Sequence, residues 1–288
     1  MNLSWFDFLK IQVVFFFTSA VLSLIIKSPE TRLLNKFTLP AMLIMLVFKD
    51  LSEATAALQR LKKARQQGGG WVACIPTLLP SEITAFFRLD RAMWRGFYAW
   101  LSQKKTTRHP EGEAFGFLNK GSYSTVFAII LLALCTEIPF SALMIALIEA
   151  DPAKRHLVHI ILFALTAYSL IWLLGDRYLV NHSHHILSET DLYLKVGARS
   201  TGKIPRSAIV SCEYFTHDDA QRPREKLRYP ANSIVVTPFD RPNLVISLHA
   251  DAILEISHFQ LNRTGLTKIF LFVDQPARLK LALDRDPA

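Results

Sequence analysis

Three groups of residues in this chain have the types and spacing for chemistry. The first is Glu137, the one charged residue in an apolar run from Gly121 to Ile148. A carboxylate inside a hydrocarbon layer is costly, so it is a functional candidate by default: it can relay a proton or hold a cationic group. The plainer role is a neutral carboxyl bonded to a facing helix, with Tyr168 and Thr166 as the available partners. The second group is His182, His184 and His185 in the run NHSHH, with His156 and His159 one apolar segment earlier. Imidazoles bind metal when several converge on one face. Here one dense cluster stands where the chain leaves the last apolar segment, and the topology below puts His156 on the opposite side. Hydrated histidines are expected, with no metal and no other cofactor.

The third group lies in Ser81–Leu101, SEITAFFRLDRAMWRGFYAWL. At helical spacing Ile83, Phe86, Phe87, Trp94, Phe97, Tyr98 and Leu101 share one stripe, while Arg88, Arg91 and Arg95 share another. Asp90 is an exception near the apolar stripe, and Ser81 after Pro80 suits an N-cap. An aromatic stripe beside an arginine stripe is the composition of a helix lying in the bilayer interface. Arg88, Arg91, Trp94, Arg95 and Trp100 are the interface candidates. The competing role is a helix packed on the protein's own soluble part, with solvated arginines. No other motif carries chemistry. Gly68–Gly70 lacks the Lys-Ser/Thr of a phosphate loop, and no Gly-x-Ser-x-Gly elbow occurs. Cys74, Cys135 and Cys212 have no pairing or ligand spacing and read as packing residues. No catalytic residue is assigned.

These groups need elements to hold them, and composition says which. The 288 residues are 51% hydrophobic and 20% charged, with a mean hydropathy of +0.24. That is too apolar for a soluble domain of this length or for a disordered chain, and three scattered cysteines exclude a disulfide scaffold. A membrane protein with a sizeable soluble part remains. The net charge of +9 is concentrated in residues 49–120, which hold twelve Lys and Arg against six Asp and Glu. Apolar segments flank this block on both sides. It therefore reads as cytoplasmic juxtamembrane charge that attracts anionic lipid headgroups, not as a nucleic-acid surface.

About four transmembrane helices are expected. Residues 11–26 are free of charge and rise about 24 Å, extended by Phe8 and an interfacial Trp5. A signal peptide is a poor match there, since no small-residue cleavage motif occurs near Lys27. Residues 37–48 are the weakest span, with a re-entrant segment as the alternative, and 49–65 continue that helix. Residues 121–148 are longer than a bilayer core requires, so they must tilt or break near Pro139. Residues 157–174 follow after a short link and form an antiparallel hairpin with them. The Lys and Arg counts put residues 49–120 and both termini in the cytoplasm, in a bacterial inner membrane.

From Gly175 the period changes from helical to alternating. Leu192, Leu194 and Val196 alternate with Tyr193 and Lys195. Further strands are expected over 203–215, 233–237, 243–249 and 266–273, with one more short strand possible in 250–265. Asp274 and Pro276 open a final helix. Several short strands and one closing helix suggest a small barrel or sandwich. The run GDRYLVNHSHHILSETDLYLKVGARSTGKIPRSAIVSCE, with its Ile204, Pro205 and Ile209 pattern, and the ending DRPNLVISL…IFLFVDQPARLKLAL resemble bacterial pleckstrin-homology-like domains. The resemblance covers residues 175–284. It implies a cytoplasmic all-β domain closed by one helix, carried on membrane helices, and implies no activity. The organisation expected is thus a transmembrane domain over 1–174, with its interfacial loop at 49–120, and a β domain over 175–288. The function expected is a non-enzymatic scaffold whose partners are the bilayer and a protein or lipid headgroup at the C-terminal domain. The alternative is a small transporter or membrane-embedded enzyme built around Glu137.

Overall fold

A computed structural model of the chain describes residues 5–26, 28–66, 78–103, 110–148, 151–215, 229–230, 232–252 and 254–284. Two compact units emerge, Met1–Phe87 and Arg88–Ala288.

In the first unit, α1 (Trp5–Ile25) and α2 (Pro29–Gln66) form an antiparallel hairpin. Helix α2 takes the weak apolar segment and the basic stretch after it into one 38-residue helix, with Pro40 inside. Such a helix is about 57 Å long. Polar pairs hold the hairpin together. The hydroxyls of Ser19 and Thr38 lie 2.7 Å apart, both buried. Trp5 Nε1 donates to Glu53 Oε2 at 2.7 Å, and Lys49 Nζ meets the other oxygen of that carboxylate at 2.7 Å. Trp5 was expected at the lipid interface, and instead it is buried on this ion pair.

The second unit begins within α3 (Ser81–Leu101) and contains α4 (Tyr123–Ile148) and α5 (Pro152–Asn181). Helices α4 and α5 are long and apolar enough to cross a membrane, and almost none of the residues of their apolar stretches is buried. A core helix of a soluble protein would be mostly buried. Pro139 does not break α4. Asp151 caps α5 by accepting from the Ala153 N–H at 2.9 Å, and Pro152 fills the first position, where no donor is needed. Helix α5 continues two turns past Leu174, where the sequence suggested an end. Its last turns are not lipid-facing: Gly175, Asp176, Tyr178 and Val180 are all buried.

The sheet-rich region has two layers. Six antiparallel strands run in the order β1 (Glu113–Phe115), β2 (His185–Leu187), β3 (Asp191–Val196), β4 (Ser200–Pro205), β8 (Glu255–His258), β9 (Leu261–Arg263). Four run β5 (Ile209–Tyr214), β7 (Leu244–Leu248), β10 (Lys268–Leu271), β6 (Ser233–Val236), in which β10 and β6 are parallel. Helix α6 (Pro276–Asp284) packs on β5 and buries Leu279. The alternation read from the sequence is the burial pattern. Leu192, Leu194 and Val196 point inward, as do Leu244, Ile246 and Leu248.

Three details differ from expectation. Residues 250–265 form a two-strand hairpin, β8–β9. Residues 113–123, assigned to the basic loop and the third span, belong in part to the β domain. There β1 pairs with β2, and Phe115, Phe117 and Tyr123 join the core. Finally, the Asp274 carboxylate does not cap α6. It accepts from the Asn119 and Lys120 N–H groups at 3.1 and 2.8 Å, fastening the segment before α4 to the sheet.

Candidate functional site

The interface candidates sit on α3, and α3 is held by residue types the sequence made look out of place. Asp90 Oδ1 accepts from Tyr168 Oη at 2.5 Å and from Trp172 Nε1 at 2.7 Å, both on α5. A carboxylate accepting two donors in a partly dehydrated contact is a strong tether. Three residues on, Met93 is buried. Gly96 and Gly175 let the two backbones touch. A Cβ at Gly96 would lie 2.6 Å from the Gly175 carbonyl, and one at Gly175 would lie 2.1 Å from the Met93 carbonyl. Small residues at a helix crossing allow this close approach.

The apolar stripe of α3 therefore divides. Trp94, half-buried, turns toward Tyr168, with ring centroids 6.3 Å apart. Phe86, Phe87, Tyr98, Trp100 and Leu101 remain exposed, Tyr98 at 61%. Arg88, Arg91 and Arg95 are exposed beside them, and none has an ion-pair partner among the described residues. The helix packs on its own protein, on α5, and still displays aromatics beside free arginines.

The last turns of α5 join the long apolar helices to the sheet-rich region. Asp176, buried, receives Arg199 Nη2 at 2.6 Å and Nε at 3.2 Å, and Tyr123 Oη at 2.8 Å. Arg199 also donates to the Pro238 carbonyl and stacks over Phe239, whose ring lies parallel to Tyr123. At the start of α4, Ser122 donates to Asp240. Asp240 Oδ2 is buried in this joint without a hydrogen-bond partner among the described residues.

The other candidates are dispersed. Glu137 lies exposed on α4, and of the two partners suggested for it, Tyr168 is committed to Asp90. The three clustered histidines point to different places. His182 Nδ1 donates to the Tyr178 carbonyl at 2.8 Å, and His184 lines the outer face of the larger sheet. His185, expected to be hydrated, is fully buried against Phe117. Its Nδ1 accepts the Lys195 N–H at 3.3 Å, which leaves the proton on Nε2, buried without a partner. Burial, with His184 adding to it, pushes this imidazole down to about 3. Among the described residues no three His, Cys, Asp or Glu side chains gather as a metal site would require. Cys212 is buried, its thiol pushed up to about 11 by burial. Cys135 is exposed on α4, and Cys74 lies outside the described residues.

On the outer face of the larger sheet, Tyr193, Lys195, Thr201, Lys203 and Arg263 line an open groove of about 630 Å³. Lys203 is tied to Asp191 at 3.3 Å.

Sequence reasoning missed the Asp90 tether and the Asp176–Arg199 joint. Their signals were present: an acid on an otherwise apolar stripe, and an acid directly after an apolar run. No protein-family model, curated protein sequence or solved structure matches the chain.

Proposed function

We propose that this is a multi-pass protein of the bacterial inner membrane, without catalytic activity, that holds a pleckstrin-homology-like β domain at the cytoplasmic membrane surface. Both termini are cytoplasmic. The domain binds a protein partner or a lipid headgroup, and α3 rests in the interface between acyl chains and headgroups. One observation carries this reading: α3 is tethered to a long apolar helix by Asp90, yet leaves five large apolar side chains exposed beside three arginines without an ion-pair partner among the described residues. Moving each such side chain from water into the acyl boundary contributes on the order of 1 kcal/mol, and each arginine near an anionic surface contributes about 1 kcal/mol more. The two-layered sheet closed by α6 agrees with the pleckstrin-homology resemblance in architecture, although the parallel β6–β10 pair was not anticipated.

The test is a depth measurement. Spin labels at Tyr98 and Arg91 of the full chain, reconstituted in bilayers with a minor fraction of anionic lipid, are exposed to oxygen and to a water-soluble nickel chelate. The Tyr98 label is expected to be relaxed mainly by oxygen, and the Arg91 label to lie at headgroup level. Both labels in bulk water would overturn the interfacial placement of α3.

A further inference from the structure

Where α3 ends, α4 begins and α5 leaves the apolar region, the three helices enclose an open groove of about 770 Å³. One side is apolar, with Trp100, Phe127 and Leu174. The other is polar, with Arg177, Asn181 and His182. Arg177 is held firmly. Its guanidinium stacks over Phe127 at 4.9 Å and Tyr123 at 5.5 Å, and Nη1 donates to Ser124 Oγ at 3.0 Å. No carboxylate lies within ion-pair distance of it among the described residues, because the adjacent Asp176 is taken by Arg199 and Tyr123. The bond from His182 Nδ1 to Tyr178 turns its Nε2 away from the helix. The groove thus combines a fixed, uncompensated cation with an apolar wall continuous with the surface of two membrane-crossing helices.

We infer that this groove binds one anionic phospholipid of the surrounding bilayer, its phosphate on Arg177 and an acyl chain along Phe127, Leu174 and Trp100. The charge argument selects the headgroup: an immobilised guanidinium with unspent donors matches a phosphate oxygen pair. The apolar wall selects a lipid over a free phosphate. The inference rests on the reading of α4 and α5 as membrane spans, and it does not depend on the arginines of α3. Because Arg177 directly follows Asp176, an occupied groove sits against the joint that carries the β domain.

Native mass spectrometry of the full chain tests this, after reconstitution in phosphatidylcholine with a minor fraction of phosphatidylglycerol and gentle release. One phosphatidylglycerol per chain is expected to stay bound, and no phosphatidylcholine. Arg177→Gln is expected to cut retention at least about tenfold, the loss of a charge-assisted contact, and Arg177→Lys to restore part of it. Leu174→Trp fills the apolar wall while keeping the charge, so it should also displace the lipid, and it serves if Arg177→Gln folds poorly. The triple change R88Q/R91Q/R95Q should leave retention intact. Equal retention by wild type and Arg177→Gln, or equal retention of both lipids, would overturn the site. Equal loss in Arg177→Gln and in the α3 triple variant would overturn it too, leaving only general attraction to anionic lipid. A retained lipid together with α3 spin labels in water would instead leave the groove standing and remove the interfacial placement of α3.

Discussion

Lowering the pH from about 7.5 to about 5 should loosen the β domain, with His185 carrying a defined share of the loss. The folded domain keeps this imidazole neutral because it is buried, with its value pushed down to about 3 from an ordinary 6.5. The unfolded chain takes up the proton at the ordinary value. Below pH 6.5 the unfolded state therefore binds more protons, and stability falls with pH until the folded state also titrates near 3. The contribution is fully present above pH 6.5 and is lost at about 1.4 kcal/mol per unit below it, which is about 2 kcal/mol at pH 5. His258, bonded to Ser200 Oγ at 2.8 Å and pushed down to about 4 by burial and by Arg263, acts in the same direction. Cys212 reports the opening. It is buried in the same core and its thiol is far from reactive there. Trapping it with a disulfide reagent active in mild acid, in a chain with Cys74→Ser and Cys135→Ser, measures the open fraction. The rate is divided by that of the urea-unfolded chain at each pH. Wild type should lose about 30-fold more protection over this interval than His185→Leu, since about 1.4 kcal/mol is tenfold. The variant also leaves the Lys195 N–H without its acceptor, a cost of about 1–3 kcal/mol at every pH that does not alter the slope. Identical slopes in the two proteins would refute the buried neutral histidine.

Further outcomes follow from the joint and the helix crossing. Gly175→Ala places a Cβ 2.1 Å from the Met93 carbonyl, so α3 and α5 must separate. Amide exchange along α3 should then rise by at least about fivefold, an overpacking cost of about 1–3 kcal/mol, and unchanged exchange would refute the contact. Asp176→Asn strands the partly buried Arg199, a loss of up to about 3 kcal/mol. Limited proteolysis should then cut the β domain faster, whereas Asp284→Asn, which removes only the exposed pair with Lys280, should not. Glu137→Gln, on the exposed side of α4, should leave Cys212 protection unchanged, and a marked loss would reveal a partner for that carboxylate. A periplasm-active reporter fused after Ala288 should be silent, and an active one would reverse the proposed topology.

What could be read from the sequence was whatever depends on local pattern. Period-2 alternation located the buried faces of β3 and β7, and unbroken apolar runs located α4 and α5. Elements made by distant pairing were not legible. The β1 strand is three residues long and exists because β2 offers it an edge. Asp274 looks like a helix cap until the chain 154 residues earlier is brought beside it. His185 looked solvated because its neighbours before it are polar, but all three residues of β2 are buried, and this one lies against Phe117. The α3 helix was legible in composition and only half legible in role. Its stripe showed which side chains are apolar, while the partner that claims Met93 and Asp90 was set by Gly96 and Gly175, whose value is in what they lack.

The end of α5 explains why a helix, and not a flexible linker, carries the β domain. Successive helical residues turn by about 100°, so three consecutive positions face three different neighbours. Gly175 meets α3, Asp176 meets Arg199 on the edge of the β3–β4 turn, and Arg177 meets the start of α4. A flexible tether would require each of those contacts to be ordered separately, at about 1–2 kcal/mol of backbone entropy per residue. One continuous helix orders all three at once. Adding or removing a single residue before Gly175 would rotate the set by about 100° and misdirect every contact together. The buried Asp176–Arg199 pair gains little net stability over an apolar pair of similar volume. Its effect is directional, because a bidentate arginine accepts its carboxylate in one orientation only. The orientation of the β domain relative to α5 is therefore written into the register of that helix.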